Sequence, residues 1–86
     1  MKRLIIHVTN PVGLYASPAG ELVQFVKQFP CSVQLRYQDR EVNLKSMMGV
    51  LSLGIPSKAQ IEILVNGSQE KQTMDLIEDK VQSLRI

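Results

Sequence analysis

The sequence predicts an α+β fold in which one four-stranded sheet is covered on a single side by three helices. Three observations carry that expectation. Four segments alternate apolar and polar residues with period two, and three others repeat apolar residues at spacings of three and four. The two kinds follow one another as strand, helix, strand, strand, helix, strand, helix. Each strand then offers one apolar face and each helix one apolar stripe, so the economical arrangement buries every stripe against the same side of one sheet. A ferredoxin-like regulatory domain shows nearly the same order without the third helix, and pattern alone does not separate the two.

Residues 3–9 open the chain as a half-buried strand, with Leu4, Ile6 and Val8 on one face and Arg3, Ile5 and His7 on the other. His7, the only histidine, thus falls on the solvent face, away from any nucleophile in the sequence. Asn10-Pro11-Val12-Gly13 breaks the strand. Ala19, Leu22, Val23, Val26 and Phe29 form a helical stripe, predicting a helix over 17–28. Ser17 reads as its N-cap, with Pro18 at the first position, and Pro30 ends it. Val33, Leu35 and Tyr37 mark the second strand. Gln38-Asp39 turns the chain into a third strand at Glu41–Leu44, completing a hairpin.

Ser46 is placed to cap a short helix running through Ser52, with Gly54 closing it. Ile61, Ile63 and Val65 define the fourth strand, which Asn66-Gly67 turns into the last helix. That helix buries Met74, Ile77, Val81 and Leu84. Ser68 reads as its cap, with Glu70 near the positive helix end.

At 86 residues the chain makes one domain, 1–86, with one modest core. Only 5% of residues are aromatic and tryptophan is absent, so that core must be aliphatic. The formal charge of +2 comes from cations interleaved with acids. No basic run and few stacking rings argue against a nucleic-acid partner. Cys31 stands alone, which excludes an internal disulfide and metal-ligand spacing, and reads as a small apolar filler. No signal-peptide pattern opens the chain and no apolar run is long enough to span a membrane. The expectation is a soluble cytoplasmic protein that needs no cofactor or metal.

Three segments together resemble the HPr phosphocarrier family. Asn10-Pro11-Val12-Gly13-Leu14-Tyr15-Ala16-Ser17-Pro18-Ala19 is similar to that family's active loop, with its Gly-Leu-His-Ala-Arg-Pro-Ala pattern. Val42-Asn43-Leu44-Lys45-Ser46-Met47-Met48-Gly49-Val50-Leu51-Ser52-Leu53-Gly54 resembles the regulatory segment of Gram-positive members. The closing strand, Asn-Gly turn and amphipathic helix complete a whole-chain likeness. It implies an open-faced β-sandwich: an antiparallel sheet with three helices on one face.

The resemblance also implies partners. Family members take a phosphoryl group on histidine from enzyme I and pass it to sugar permease components. In Gram-positive members an HPr kinase/phosphorylase modifies the serine matching Ser46. The phosphoserine form binds a LacI-type catabolite control regulator. By the same resemblance, Leu14, Met47 and Leu51 form the exposed docking patch.

Two departures fall on the active loop. Tyr15 stands where the family has histidine, and Ser17 where it has arginine. Carrier chemistry needs a nitrogen nucleophile whose phosphoryl adduct is easily handed on, and a phenol gives a far less labile ester. Ser17 also lacks the forked cation that steadies a phosphoryl group. The arrangement is similar to the Crh-type catabolite-repression paralogues, which also lack the histidine and keep the serine. The resemblance therefore implies a non-enzymatic regulatory protein acting through Ser46. The alternatives are a working phosphocarrier and an unmodified binding scaffold in which Ser46 is only a helix cap.

Overall fold

The computed structural model describes residues 1–86 and follows the expected order of elements. The strands are β1 (Lys2–His7), β2 (Ser32–Tyr37), β3 (Arg40–Asn43) and β4 (Gln60–Asn66). The helices are α1 (Ala16–Val26), α2 (Met47–Ser52) and α3 (Glu70–Leu84). The strands lie in the order β1-β4-β2-β3, and all three pairings are antiparallel. The last strand in the chain is therefore central, which removes the open choice between sheet arrangements.

Register explains which face is covered. Leu4 opposes Ile63, Ile63 opposes Leu35, and Leu35 opposes Val42, giving one apolar row across the whole sheet. One residue along, the row Ile5, Glu62, Arg36 and Glu41 faces the other way, because side chains alternate along a strand. The first face meets the helices and holds the aliphatic core, with Ile63, Leu35, Val65 and Ile77 fully enclosed. The second stays largely open. There Arg36 pairs with Glu41 at 3.0 Å, and Arg3 approaches Glu62 at 3.7 Å. Such exposed pairs contribute little to stability. Because Leu35 and Ile63 oppose one another in the middle of the buried row, Leu35→Ala should cost about 2–5 kcal/mol, read as a lowered urea midpoint.

Helix ends differ from expectation in three places. Tyr15, not Ser17, is the N-cap of α1 and makes no side-chain capping bond. Ser17 and Pro18 lie inside the first turn, where a missing proline N–H has no carbonyl to lose. At the other end α1 stops at Val26. The amide of Phe29 turns back to the Val26 carbonyl at 3.2 Å, and the Gln28 side chain donates to the Phe25 carbonyl at 2.9 Å. Unwinding before Phe29 keeps the residue ahead of Pro30 out of helical geometry.

The third difference is the start of α3, where Gln69, not Ser68, is the cap, in left-handed geometry at φ 60°. Glu70 supplies the missing acceptor: its carboxylate takes the Gly67 amide at 3.2 Å and the Met1 amino group at 2.9 Å. The hydrogen bond from the Met1 amino group, then that from Gly67, holds the Glu70 carboxyl below its ordinary value of 4.5. Its proton is thus bound more weakly in the folded chain than in the unfolded one. This contribution is present at neutral pH and is lost as pH falls through the lowered folded value. Urea titrations should show stability falling less steeply below pH 4.5 in Glu70→Gln than in the wild type.

Candidate functional site

Two helix starts and the loops leading into them carry the predicted site residues. The first is the loop into α1. The Asn10 carbonyl and side-chain oxygens accept from Gly13 and Val12, each at 2.9 Å, which folds residues 10–13 into a tight turn. Gly13 has φ +85°, and a Cβ there would sit 2.5 Å from the Ile55 carbonyl oxygen, so only glycine fits. The next amide, that of Leu14, donates to the same Ile55 oxygen at 3.0 Å. This fastens the loop to the segment leaving α2.

The same fastening drops Leu14 into the core, where it is 7% exposed. The expected surface role of Leu14 is therefore corrected: its side chain is enclosed in the core cluster beneath the loop. Tyr15 follows, 43% exposed as a residue, and Ser17 is exposed in the first turn of α1. His7 lies on the open sheet face, opposite the face covered by α1, and so cannot stand in for a nucleophile at residue 15.

The second start is that of α2. Asn43 builds the corner before it, its side chain accepting the Lys45 amide and its carbonyl the Ser46 amide, both at 2.9 Å. Ser46 is the N-cap: its hydroxyl oxygen accepts the Gly49 amide at 3.2 Å, and its carbonyl accepts the Val50 amide at 3.0 Å. The amides of Met47 and Met48, as the first two of the helix, have no intrahelical acceptor. The serine side chain is exposed. Capping and access therefore coexist in one hydroxyl.

The phase of α2 departs from expectation at Met47, which was expected on the exposed docking patch. Val50 is 2% exposed and faces the core, and Met47, three residues earlier, shares that inward side. Met47 is half-buried, and a Cβ on Gly20 of α1 would lie 3.6 Å from its terminal methyl. Met48 instead points out, 80% exposed, beside Leu51 at 42%. The apolar surface next to Ser46 is thus Met48 and Leu51, with Met47 serving as the joint between α2 and α1. One groove of the surface is lined by Ser17, Gly20 and Met47 together, so the starts of α1 and α2 are neighbours.

The contacts of two cations, one at each end of α2, were not legible in the sequence. Lys45 donates to the carbonyls of Phe29 at 2.6 Å and Cys31 at 2.9 Å. Arg40, at the hairpin, donates to the Ser52 carbonyl at 3.0 Å and its hydroxyl at 3.3 Å, closing the negative end of α2. Both partners lie more than ten residues away in the chain, so no local pattern announces them.

An antiparallel sheet in the order β1-β4-β2-β3, backed on one face by three helices, is the open-faced fold of the HPr class. The chain belongs to that family: the family model for the PTS HPr component phosphorylation site matches residues 3–83. The histidine-containing phosphocarrier protein of a mycoplasma is 26% identical and superposes with a TM-score of 0.92, covering 99% of this chain and 98% of that one. HPr-C-His from Thermoanaerobacter tengcongensis is 29% identical, with a TM-score of 0.90 and coverage of 99% and 96%. Crh of Bacillus subtilis, a catabolite-repression protein whose crystals hold a swapped dimer, is 28% identical. It superposes at 0.74 over 100% of this chain and 99% of its own. No helix of this chain is long and apolar enough to cross a membrane.

Proposed function

We propose that this protein is a regulatory HPr-like component of the phosphoenolpyruvate sugar phosphotransferase system and of carbon catabolite control. It works through phosphorylation of Ser46 and partner docking, and is not competent for histidine phosphotransfer. The observation that carries this reading is the pairing of an exposed, N-capping Ser46 with a phenol, Tyr15, at the neighbouring start of α1. In the proposed step an HPr kinase/phosphorylase transfers the γ-phosphoryl group of ATP to the Ser46 oxygen. A new P–O bond forms, the bridge to the β-phosphate breaks, ADP leaves, and the hydroxyl proton passes to a base on the kinase.

The phosphate would meet the free amides of Met47 and Met48, so the fold need not open to receive it. The added charge of about −1.5 to −2 offsets most of the formal +2. The signal is then a changed surface beside Met48 and Leu51, presented to a LacI-type regulator in the cytoplasm. In the alternative scaffold reading Ser46 is only a helix cap, and the patch binds enzyme I or a permease component without phosphotransfer. Whole-chain similarity to phosphocarriers favours a second reading, a working carrier, and Tyr15 is the chemical argument against it. Intact mass after separate treatment with enzyme I plus phosphoenolpyruvate and with HPr kinase plus ATP decides between them. The regulatory reading requires a gain of one phosphoryl group in the second reaction alone.

A further inference from the structure

The geometry points to Lys45 as the positioning residue of the Ser46 site, a tether whose charge is withheld from the serine beside it. This rests on Ser46 being the phosphorylated residue. The ammonium reaches back 14 and 16 residues to the carbonyls of Cys31 and Phe29, at 2.9 and 2.6 Å, and both contacts are partly buried. These carbonyls flank Pro30, where the chain has left α1 and not yet entered β2, and Pro30 has no N–H to offer. A cation with three donors satisfies two acceptors there, close to the negative end of α1.

The consequence lands on the next residue. The Lys45 amide is held by Asn43 Oδ1 at 2.9 Å and the Ser46 amide by the Asn43 carbonyl at 2.9 Å. With the side chain of Lys45 also fixed, the corner from β3 into α2 is pinned at both backbone and side chain. The direction of the Ser46 hydroxyl is therefore set from the far end of α1. If Lys45 swung round to a Ser46 phosphate, it would leave two partly buried carbonyls without their donor. The phosphate would instead be neutralised by helix amides and by whatever cation a partner brings.

Three readouts test this. With purified HPr kinase/phosphorylase and ATP, at a temperature below every variant's melting point, Lys45→Met should lower kcat about tenfold or more, because the hydroxyl is misdirected. KM should change less than about twofold, since docking through Met48 and Leu51 is untouched. Lys45→Arg, which can still donate to both carbonyls, should restore most of the rate. A melting point lowered in Lys45→Met with kcat and KM at wild-type values would overturn the tether and leave only a stabilising contact. Should Lys45→Met fail to fold, the wild type decides: the ¹⁵N resonance of the Lys45 ammonium should stay in place when Ser46 is phosphorylated. Movement of that signal with the phosphate would refute the withheld charge. If the wild type takes no phosphoryl group, the functional reading falls, and the tether is judged by exchange of the Ser46 amide. That exchange should be faster in Lys45→Met, and an unchanged rate would end the proposal.

Discussion

Incubation with enzyme I and phosphoenolpyruvate is expected to leave the mass of this protein unchanged, and no phosphoryl group should reach a permease component through it. Position 15 carries a phenol on an exposed residue, so access is not what is missing; the nitrogen nucleophile is. Two amides at the start of α1, those of Ala16 and Ser17, could hold an anion, but Pro18 supplies none. Ser17 adds no cation. His7 cannot substitute because it faces the other side of the sheet. A double change, Tyr15→His with Ser17→Arg, should restore part of the acceptance. Both residues are exposed, and the fastening of Gly13 and Leu14 to Ile55 that shapes the loop remains intact. An acid-labile phosphoryl group on the wild type, handed on to a permease component, would defeat the regulatory reading. A double variant that stays inert would show that the loop departs from a carrier site in more than its side chains.

The second large effect is expected at Ser46. HPr kinase and ATP should add one phosphoryl group to the wild type and none to Ser46→Ala. Ser52 is the internal control. Its hydroxyl already donates to the Gly49 carbonyl at 2.6 Å and sits at the negative end of α2, where a phosphate is disfavoured. Ser46→Ala should also lose the N-cap, a cost of about 1 kcal/mol seen in the urea midpoint. That stability loss is distinct from the loss of the acceptor and is corrected for with Ser46→Gly, which costs only a few tenths of a kcal/mol.

Binding to a LacI-type regulator should require both the phosphate and the apolar neighbour. Because Met48 is the outward side chain, Met48→Asp is the informative change, whereas Met47→Asp would disturb the packing of α2 on α1. A Ser46→Asp mimic should bind more weakly than phosphoprotein, since a carboxylate lacks the third oxygen and the second charge. Unmodified protein and Met48→Asp phosphoprotein that bind as tightly as the wild-type phosphoprotein would reduce Ser46 to a helix cap.

The alternations of Leu4-Ile6-Val8, Val33-Leu35-Tyr37 and Ile61-Ile63-Val65, with the stripe from Ala19 to Val26, determined the order of elements and the buried face of each. They could do so because apolar periodicity is a local property of the chain. The Ser46 cap was equally legible, its hydroxyl bonding an amide three residues on. The absence of a nucleophile at Tyr15 is written in the residue itself.

Tertiary structure decided the rest. Leu14 is enclosed because a carbonyl 41 residues later, that of Ile55, draws the loop inward. In a six-residue helix the apolar pattern is too brief to fix a rotation, so the seating of Val50 in the core turned Met48 out and Met47 in. The caps assigned to Ser17 and Ser68 moved to Tyr15 and Gln69 because several phases satisfy a local capping rule, and packing selects one. In the sequence Lys45 and Arg40 are two of ten cations interleaved with acids. Only folding brings them to Phe29, Cys31 and Ser52, because a long cationic side chain finds its acceptors in space and carries no periodic mark in sequence.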